Sequence, residues 1–264
     1  MLVDCHMHSR FSFDAQPDTV QQIAEASIER GLSTIAITDH KDYFYHGKPP
    51  MELDVPGVLA EIDAVRAQYD GKIEVLKGIE LGEIHADPDA AALLEAYPFD
   101  TVIGSMHVMP NNVDFYDMDY DHLDQEQLLR DYLMEAKKMV EYGGFDVLAH
   151  LDYPLRVMKR DNNHPSFANF MEWVVPLLRT VIDREISLEI NAAGLFGWMK
   201  KVGPEDFVLA EYRRLGGTMV SIGSDSHAAA SVGRGIESCI AHAKAHGFDY
   251  VMVYRARKGE AVSI

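Results

Sequence analysis

Short apolar runs alternate along this chain with longer segments in which apolar residues recur every three or four positions. The short runs predict buried strands, and the longer segments predict amphipathic helices. The predicted strands cover residues 2–6, 34–38, 73–79, 101–105, 146–149, 187–191, 218–223 and 250–254. The predicted helices cover residues 19–30, 55–69, 125–142, 167–184, 204–215 and 232–246. This regular alternation is typical of βα units around a parallel sheet.

The ends of the first helix and the number of strands refine this pattern. Asp18 is placed to cap the helix over residues 19–30, with Gln21 at the reciprocal position of a capping box and Gly31 at its end. No glycine-rich dinucleotide fingerprint follows the first strand, and seven or eight parallel strands are predicted. We therefore predict an α/β fold in which a single domain, residues 1–264, forms a distorted TIM-like (β/α)7–8 barrel.

Residues with the chemistry of metal ligands stand at the C-terminal ends of most predicted strands. They are His6 and His8 after the first strand, Asp39 and His40 after the second, Glu80 at the third, His107 after the fourth, His150 and Asp152 after the fifth, and Asp225 and His227 after the seventh. The C-terminal strand ends of such a barrel converge on the face where active sites are built. We therefore expect these side chains to meet in one site.

The spacing and type of these residues indicate a transition-metal site. His6 and His8 are two residues apart on extended chain, so their side chains leave the same face and can hold one ion. Imidazole and carboxylate together suit Zn²⁺, Mn²⁺ or Fe²⁺ better than Ca²⁺ or Mg²⁺. The number of candidate ligands implies more than one ion.

The composition narrows the class of partner. The chain has 42 acidic and 24 basic residues and a formal net charge of −18, so a nucleic acid is not an expected partner. No apolar run approaches the ~20 residues that span a bilayer, and the N-terminal stretch lacks the pattern of a signal peptide. Cys5 and Cys239 form neither a disulfide framework nor a Cys-x-x-Cys pair. These features predict a cytoplasmic protein that contacts no membrane and acts on a small molecule, and they specify no oligomeric state.

The strand-end motifs resemble those of the PHP (polymerase and histidinol phosphatase) family of metal-dependent phosphoesterases. In order and spacing they are His6-Met7-His8, Thr38-Asp39-His40, Glu80, Gly104-Ser105-Met106-His107, His150-Leu151-Asp152 and Ser224-Asp225-Ser226-His227. The histidinol-phosphate phosphatase branch is the most similar in length and context, with Ser12-Phe13-Asp14 and Glu189-Ile190-Asn191. The resemblance extends over residues 3–227 and implies a distorted barrel with its active site at the C-terminal strand ends.

The resemblance also implies a site for three divalent transition metal ions, Zn, Mn or Fe, with ligands assigned by position. The first ion would take His6, His8, Glu80 and Asp225. The second would share Glu80, which would bridge, and take His107 and His150. The third would take Asp14, His40 and His227, where many relatives have a histidine in place of Asp14.

Two residues of the chain are implied to act in catalysis. Asp39 would orient ligands or relay a proton. Arg156 matches a family arginine that clamps phosphate, because its planar fork suits a phosphoryl group. Phe196 stands where the family usually has a second arginine, and Arg160, Lys200 or Lys201 could supply that charge to the substrate. The predicted reaction is hydrolysis of a small phosphorylated metabolite by a metal-bridging hydroxide, as in a histidinol-phosphate phosphatase of histidine biosynthesis.

Other functions remain open from the residues alone. The same chemistry would serve a phosphatase or cyclic phosphodiesterase that acts on sugar phosphates. An amidohydrolase-type enzyme also begins with His-x-His, but it does not normally require Thr38-Asp39-His40 or Ser226-His227. A non-catalytic metal-binding metabolite sensor is the third alternative, and the intact ligand set argues against it.

A pair of histidines and two aromatic stretches each have a structural as well as a functional interpretation. His242 and His246 have a spacing that can bind metal on one helix face, but their place before Gly247 favours charge–dipole stabilisation of a helix end. The stretches Tyr43-Phe44-Tyr45 and Phe115-Tyr116-Asp117-Met118 form either a lid over the barrel mouth or packed loops.

Overall fold

The computed structural model describes residues 2–43, 53–110, 114–161 and 165–264. Its strands are β1 Leu2–Asp4, β2 Leu32–Ile37, β3 His40–Asp42, β4 Glu74–Gly82, β5 Thr101–Ser105, β6 Val147–Leu148, β7 Ser187–Asn191, β8 Val220–Gly223, β9 Tyr250–Arg255 and β10 Lys258–Ser263. Its α-helices are α1 Val20–Glu29, α2 Val55–Gln68, α3 Ala90–Ala96, α4 Gln125–Tyr142, α5 Tyr153–Arg160, α6 Met171–Asp183, α7 Ala193–Phe196, α8 Asp206–Arg214 and α9 Ile236–Ala245.

The parallel strands curve into a nearly closed barrel. Seven of them pair in the order β1-β2-β4-β5-β6-β7-β8, and β3 pairs with the far end of β4. The two edges meet where Cys5 N donates to Ile222 O at 3.0 Å and Asp225 N donates to His6 O at 2.9 Å. Apolar side chains from the sheet, such as Ile35, pack against Ile23 of α1 and Ile62 of α2. The predicted distorted TIM-like α/β barrel is confirmed.

The last predicted strand forms but does not enter the barrel, so the parallel circuit has seven strands. β9 pairs antiparallel with β10, a strand that the sequence pattern missed because its residues are mostly exposed and polar. Arg255 pairs with Glu74 at the start of β4, and Arg257 pairs with Asp146 just before β6. The hairpin therefore closes the N-terminal end of the barrel, opposite the predicted site.

The predicted capping box of α1 is wrong by one residue. Thr19 is the N-cap: its hydroxyl accepts from Gln22 N at 3.2 Å, and the Gln22 side chain accepts from Thr19 N at 2.9 Å. Asp18 instead accepts a hydrogen bond from Ala229 N at 2.7 Å. Both residues are competent helix caps, and the contact of Asp18 with the distant Ala229 leaves Thr19 as the N-cap.

The observed boundaries of several other helices differ from the predicted ones. Residues 167–170 form a 3₁₀ turn ahead of α6, and α8 and α9 begin later than the apolar pattern indicated. The helices α3, α5 and α7 were not predicted, since segments of eight residues or fewer are too short to show a clear helical periodicity. Within the described ranges, none of the helices has the length and apolar character needed to cross a bilayer.

Candidate metal centre

All nine predicted metal ligands lie at the C-terminal end of the barrel. They come from the chain after β1 (His6, His8 and Asp14), from β3 (His40), β4 (Glu80), and from the segments after β5 (His107), β6 (His150) and β8 (Asp225, His227). The side chains of His6, His8 and Glu80 are completely buried, whereas that of Asp14 is 41% exposed. The cluster is therefore buried at His6, His8 and Glu80 and open to solvent at Asp14.

Glu80 lies at the centre of the cluster. Its Oε1 faces His150 Nε2 at 3.0 Å and His107 Nε2 at 3.5 Å. Its Oε2 faces His6 Nε2 at 2.9 Å, His40 Nδ1 at 3.2 Å and His8 Nε2 at 3.4 Å. The two oxygens thus face separate groups of imidazoles, as a carboxylate that bridges two ions must.

The charge of Glu80 follows from its surroundings. Burial alone would raise the pKa of this carboxyl, but the imidazoles of His40 and His6 outweigh burial and hold the pKa well below its usual value. Pairing of β3 with β4 sets this contact, because His40 lies directly opposite Glu80 in the register. Glu80 is therefore an anion at neutral pH and available as a ligand.

The cluster contains buried lone pairs that lack a hydrogen-bond donor. Ser12 Oγ donates to Asp39 at 2.7 Å, so it can accept from His8 Nδ1 at 3.2 Å and leave His8 Nε2 unprotonated. Among the described residues, no hydrogen-bond partner reaches His8 Nε2, His40 Nδ1 or His150 Nδ1. An unsatisfied buried acceptor costs about 1–3 kcal/mol, which a bound cation at His8 Nε2 would offset.

Several groups of these side chains have the geometry of ion-binding sets. In each of the sets His6–His8–Glu80 and Glu80–His107–His150, the ligand atoms lie within 4.8 Å of one another. The same holds for His8, His40 and His227. His227 Nε2 also faces Asp14 at 3.1 Å. The donor set and its unpartnered lone pairs therefore fit divalent transition ions.

Two buried carboxylates that orient the cluster were not predicted as site residues. Glu189 on β7 accepts from His6 Nδ1 at 2.7 Å and from His150 N at 2.8 Å. Asp42 on β3 accepts from His107 Nδ1 at 3.0 Å. A carboxylate on the second ring nitrogen fixes the tautomer of a ligating histidine. Asp42 is two residues beyond His40 on a strand and so shares its face, a signal that the sequence contained.

Glu189 also sets the charge of His6. Burial disfavours a charged imidazole, but the carboxylates of Glu189 and Glu80 outweigh burial and raise the pKa of His6 well above its usual value. With Nδ1 committed to Glu189, Nε2 is the nitrogen directed at Glu80. Glu189 therefore positions His6 rather than contacting the mouth itself.

We expect Glu189→Gln to weaken metal binding by about 10–100-fold, because loss of such an orienting carboxylate has effects of that size. Chelator competition on the purified protein would measure the dissociation constant. Glu74→Gln is a matched control, since Glu74 pairs with Arg255 at the opposite end of the barrel. Equal metal affinity in wild type and Glu189→Gln would contradict the orienting role.

Asp39 lies behind the ligands rather than at the mouth. Its oxygens accept from Ser9 N, Ser9 Oγ and Ser12 Oγ, each at 2.7 Å, and it does not line the mouth cavity. Burial raises its pKa. Through Ser12 these contacts reach His8, so the geometry suits the predicted role in orienting ligands better than proton relay.

Arg156 is buried beside the cluster and is already paired. Its Nε and Nη2 donate to Asp152 at 2.9 and 3.0 Å, and its Nη1 lies 3.6 Å from Asp225 Oδ2. It does not line the mouth cavity. Arg156, the predicted phosphate-binding residue, therefore contacts Asp225 from the side away from the mouth cavity.

The other predicted substrate residues lie farther from the ligands. Arg160 donates to Tyr116 O at 2.6 Å, and its guanidinium lies 5.0 Å from the Tyr116 ring centre, so it supports the rim. Lys200 is exposed and does not line the mouth cavity. Phe196 does not line it either; its ring packs against the guanidinium of Arg234 at 3.7 Å in a separate groove.

The mouth above the ligands is a cavity of about 320 Å³ with an acidic and aromatic rim. The rim residues are Phe13, Asp114, Tyr116, Asp117 and Tyr153. Of the predicted lid stretches, Tyr116 and Asp117 line the cavity and Phe115 and Met118 are buried, while Phe44 and Tyr45 lie outside the described residues. The rim therefore places carboxylates and aromatic rings above the imidazoles of the cluster.

Comparisons with known proteins cover most of the chain. Residues 4–193 match the family model of the PHP domain. A histidinol-phosphatase of Lactococcus lactis subsp. lactis (strain IL1403) is 30% identical over 86% of this chain and 84% of its own length. A probable histidinol-phosphatase of Thermotoga maritima is 31% identical over 96% and 95%. A solved structure of the Lactococcus lactis histidinol phosphate phosphatase, complexed with zinc, L-histidinol and phosphate, superposes with a TM-score of 0.85 at 26% identity and covers 98% of both chains.

Proposed function

The chain belongs to the PHP domain family, and on that premise we propose that it is a metal-dependent phosphatase that hydrolyses histidinol phosphate. The observation that carries this proposal is the convergence of nine imidazole and carboxylate side chains, with Glu80 at their centre, beneath an acidic mouth. The relatives named histidinol-phosphatase support the same substrate.

We assign the ions to the three sets implied by the family motifs. The contacts of Glu80 support its bridging position between His6 and His8 on one side and His107 and His150 on the other. His40, His227 and Asp14 would hold the ion nearest the mouth. Divalent transition ions, when bound, supply Lewis acidity for a phosphoryl group and acidify water.

Other residues of the chain orient the histidine ligands or place charge beside them. Glu189, Asp42 and the Asp39–Ser12 pair hold imidazoles in the tautomers that ligation needs. Arg156, held by Asp152, places a permanent positive charge behind Asp225. That charge favours a phosphoryl group on the open side of Asp225 and lowers the cost of gathering carboxylates there.

The rim favours a substrate whose far end is cationic. Histidinol phosphate carries an ammonium group and an imidazole, and the carboxylates of Asp114 and Asp117 complement the ammonium. The aromatic rings of Phe13 and Tyr116 offer faces to the imidazole. Sugar phosphates and cyclic phosphodiesters carry no such cation, and Phe196, whose identity departs from the family pattern, lies outside this cavity.

A substrate panel tests the proposal. Metal-replete protein should hydrolyse histidinol phosphate with a kcat/KM about 10–100-fold above those for ribose 5-phosphate and a cyclic phosphodiester, because only histidinol phosphate has an ammonium group to pair with the rim carboxylates, and a hydrogen bond to a charged group is worth about 1.5–3 kcal/mol. Elemental analysis of the same preparation should find at least three transition ions per chain. A higher kcat/KM for the sugar phosphate would contradict the substrate assignment, and absence of turnover on all three would contradict the function.

We expect Asp117→Asn to raise KM for histidinol phosphate about tenfold, since a charge-assisted contact is worth about 1.5–3 kcal/mol. The kcat/KM for p-nitrophenyl phosphate, which lacks an ammonium group, should change little. Asp121→Asn is the matched control, because Asp121 is exposed and does not line the cavity. An equal loss of kcat/KM on both substrates would show that Asp117 does not bind the ammonium group.

A further inference from the structure

A second histidine cluster lies outside the barrel mouth. His242 and His246 are one helical turn apart on α9, with ring centres separated by 4.8 Å. His242 Nδ1 lies 3.6 Å from Asp206 Oδ1, and His246 Nε2 lies 3.7 Å from the same oxygen. Asp206 is the first residue of α8, so the cluster joins two helices. None of its members belongs to the metal centre described above.

The second nitrogen of each ring is held by a backbone carbonyl. His242 Nε2 lies 3.2 Å from Pro204 O, and His246 Nδ1 lies 2.9 Å from His242 O. A carbonyl oxygen only accepts, so these nitrogens carry the hydrogen of each ring. In the neutral rings, the lone pairs of His242 Nδ1 and His246 Nε2 are therefore the ones that face Asp206.

The spacing of the three atoms suits a shared ion better than hydrogen bonds. Contacts of 3.6 and 3.7 Å are too long for hydrogen bonds. Two ligands at about 2.0–2.1 Å from a tetrahedral ion lie about 3.3 Å apart, so each imidazole nitrogen is within a few tenths of an ångström of the separation at which it could share an ion with Asp206 Oδ1. A carbonyl on the far nitrogen is the usual partner of a ligating histidine.

The interpretation of these residues as a helix end accounts for only one contact. A histidine in the last turn stabilises unpaired carbonyls, and His246 Nδ1 does donate to His242 O. That role does not require His242 to donate to Pro204 O from another segment, nor both rings to converge on Asp206. Convergence of two imidazoles at i and i+4 with a carboxylate is the pattern of a transition-metal site.

Exposure and surroundings indicate how such an ion would be held. The side chains of His242 and His246 are 15% and 13% exposed, whereas that of Asp206 is 79% exposed. Asp206 and His242 line a groove of about 590 Å³ whose other walls include Asp152 and Lys201. Two ligands are therefore fixed by packing, and the third comes from the open side, where further coordination positions reach the groove.

We propose that His242, His246 and Asp206 form a peripheral binding site for one Zn²⁺-like transition ion, separate from the metal centre at the barrel mouth. The ion ties α8 to α9 and keeps at least one coordination position open to water or to a small anionic ligand in the groove. Three protein ligands with an open position distinguish this site from a closed structural zinc site. The proposal does not depend on the reaction at the barrel mouth.

The number of ions bound by the full chain tests the proposal. Equilibrium dialysis against micromolar Zn²⁺ should give one ion fewer per chain for His242→Ala and His246→Ala than for wild type, with turnover of histidinol phosphate unchanged. His122→Ala is the matched control, because His122 forms an exposed pair with Asp119 and, among the residues that the structure describes, contacts no second imidazole. Its zinc stoichiometry should equal that of wild type.

The test also needs a variant at an exposed position, because replacing a buried histidine could impair folding. Asp206→Asn changes an exposed side chain and should weaken the extra site at least tenfold. Added Zn²⁺ should also raise the Tm of the metal-replete wild type but not of the three variants at the site. Equal zinc stoichiometry and an equal Tm response in wild type and all three variants would overturn the proposal, whatever the activity at the mouth.

Discussion

Replacing Glu80 with alanine is expected to lower kcat/KM for histidinol phosphate by about 10³-fold or more while leaving a folded barrel. One carboxylate faces five imidazoles through two oxygens, so its loss removes the anion that both proposed ions share. Loss of one electrostatic stabiliser in an active site costs about 10²–10³, and weakened ion binding adds to that loss.

The fold should survive this change because Glu80 takes no part in the apolar packing between sheet and helices. Turnover should be measured after reconstitution with excess Zn²⁺ or Mn²⁺, with ion content from elemental analysis and folding from circular dichroism. Glu74→Ala is the matched control, since Glu74 lies at the other end of β4 and pairs with Arg255. That variant should lose stability and keep its turnover. Near-normal turnover of metal-replete Glu80→Ala would refute the bridging role.

Adding one methyl group at Gly223 is expected to disable the metal centre without removing any ligand. A Cβ at this position would lie 2.4 Å from the Cβ of His6 and 2.6 Å from Glu189 Oε1. The chain at His6 must move away from β8, and the Glu189 carboxylate must shift as well. Overpacking of this kind costs about 1–3 kcal/mol of unfolding free energy, and we expect metal affinity to fall by about 10–100-fold as well.

Gly104→Ala separates the two effects. A Cβ there would lie 2.7 Å from the ring of Phe145, away from the histidines. Denaturant unfolding should show both variants destabilised, while chelator competition should show weakened ion binding in Gly223→Ala far beyond that in Gly104→Ala. Similar metal affinities in the two variants would mean that the close approach of β8 to His6 does not control the site.

The sequence was most informative where chemistry and periodicity coincided. Each His, Asp or Glu placed at a strand end was predicted to reach one face of a barrel, and the structure brings all nine candidate ligands there. The family resemblance is confirmed by the comparisons. The roles of the individual ligands, of Asp39 and of Arg156 stay predictions.

What the sequence could not supply were contacts between distant buried groups. Glu189 precedes the end of its strand, and nothing local shows that its carboxylate reaches His6, 183 residues away. Asp18 and Thr19 are both competent helix caps, and the sequence does not show that the Asp18 carboxylate accepts from the distant Ala229 N instead of capping α1. β10 was missed because its pairing with β9, rather than apolar periodicity, makes it a strand.

The arginine-clamped hairpin of β9 and β10 has a consequence for how this enzyme can change. Arg255 and Arg257 fasten the starts of β4 and β6, a full strand length from the rim at Tyr116 and Asp117. The ion pairs of the hairpin and the proposed substrate rim therefore lie at opposite ends of the barrel. We therefore expect a mutant library confined to the exposed rim residues to leave these ion pairs intact while it samples new phosphoesters, as directed evolution requires.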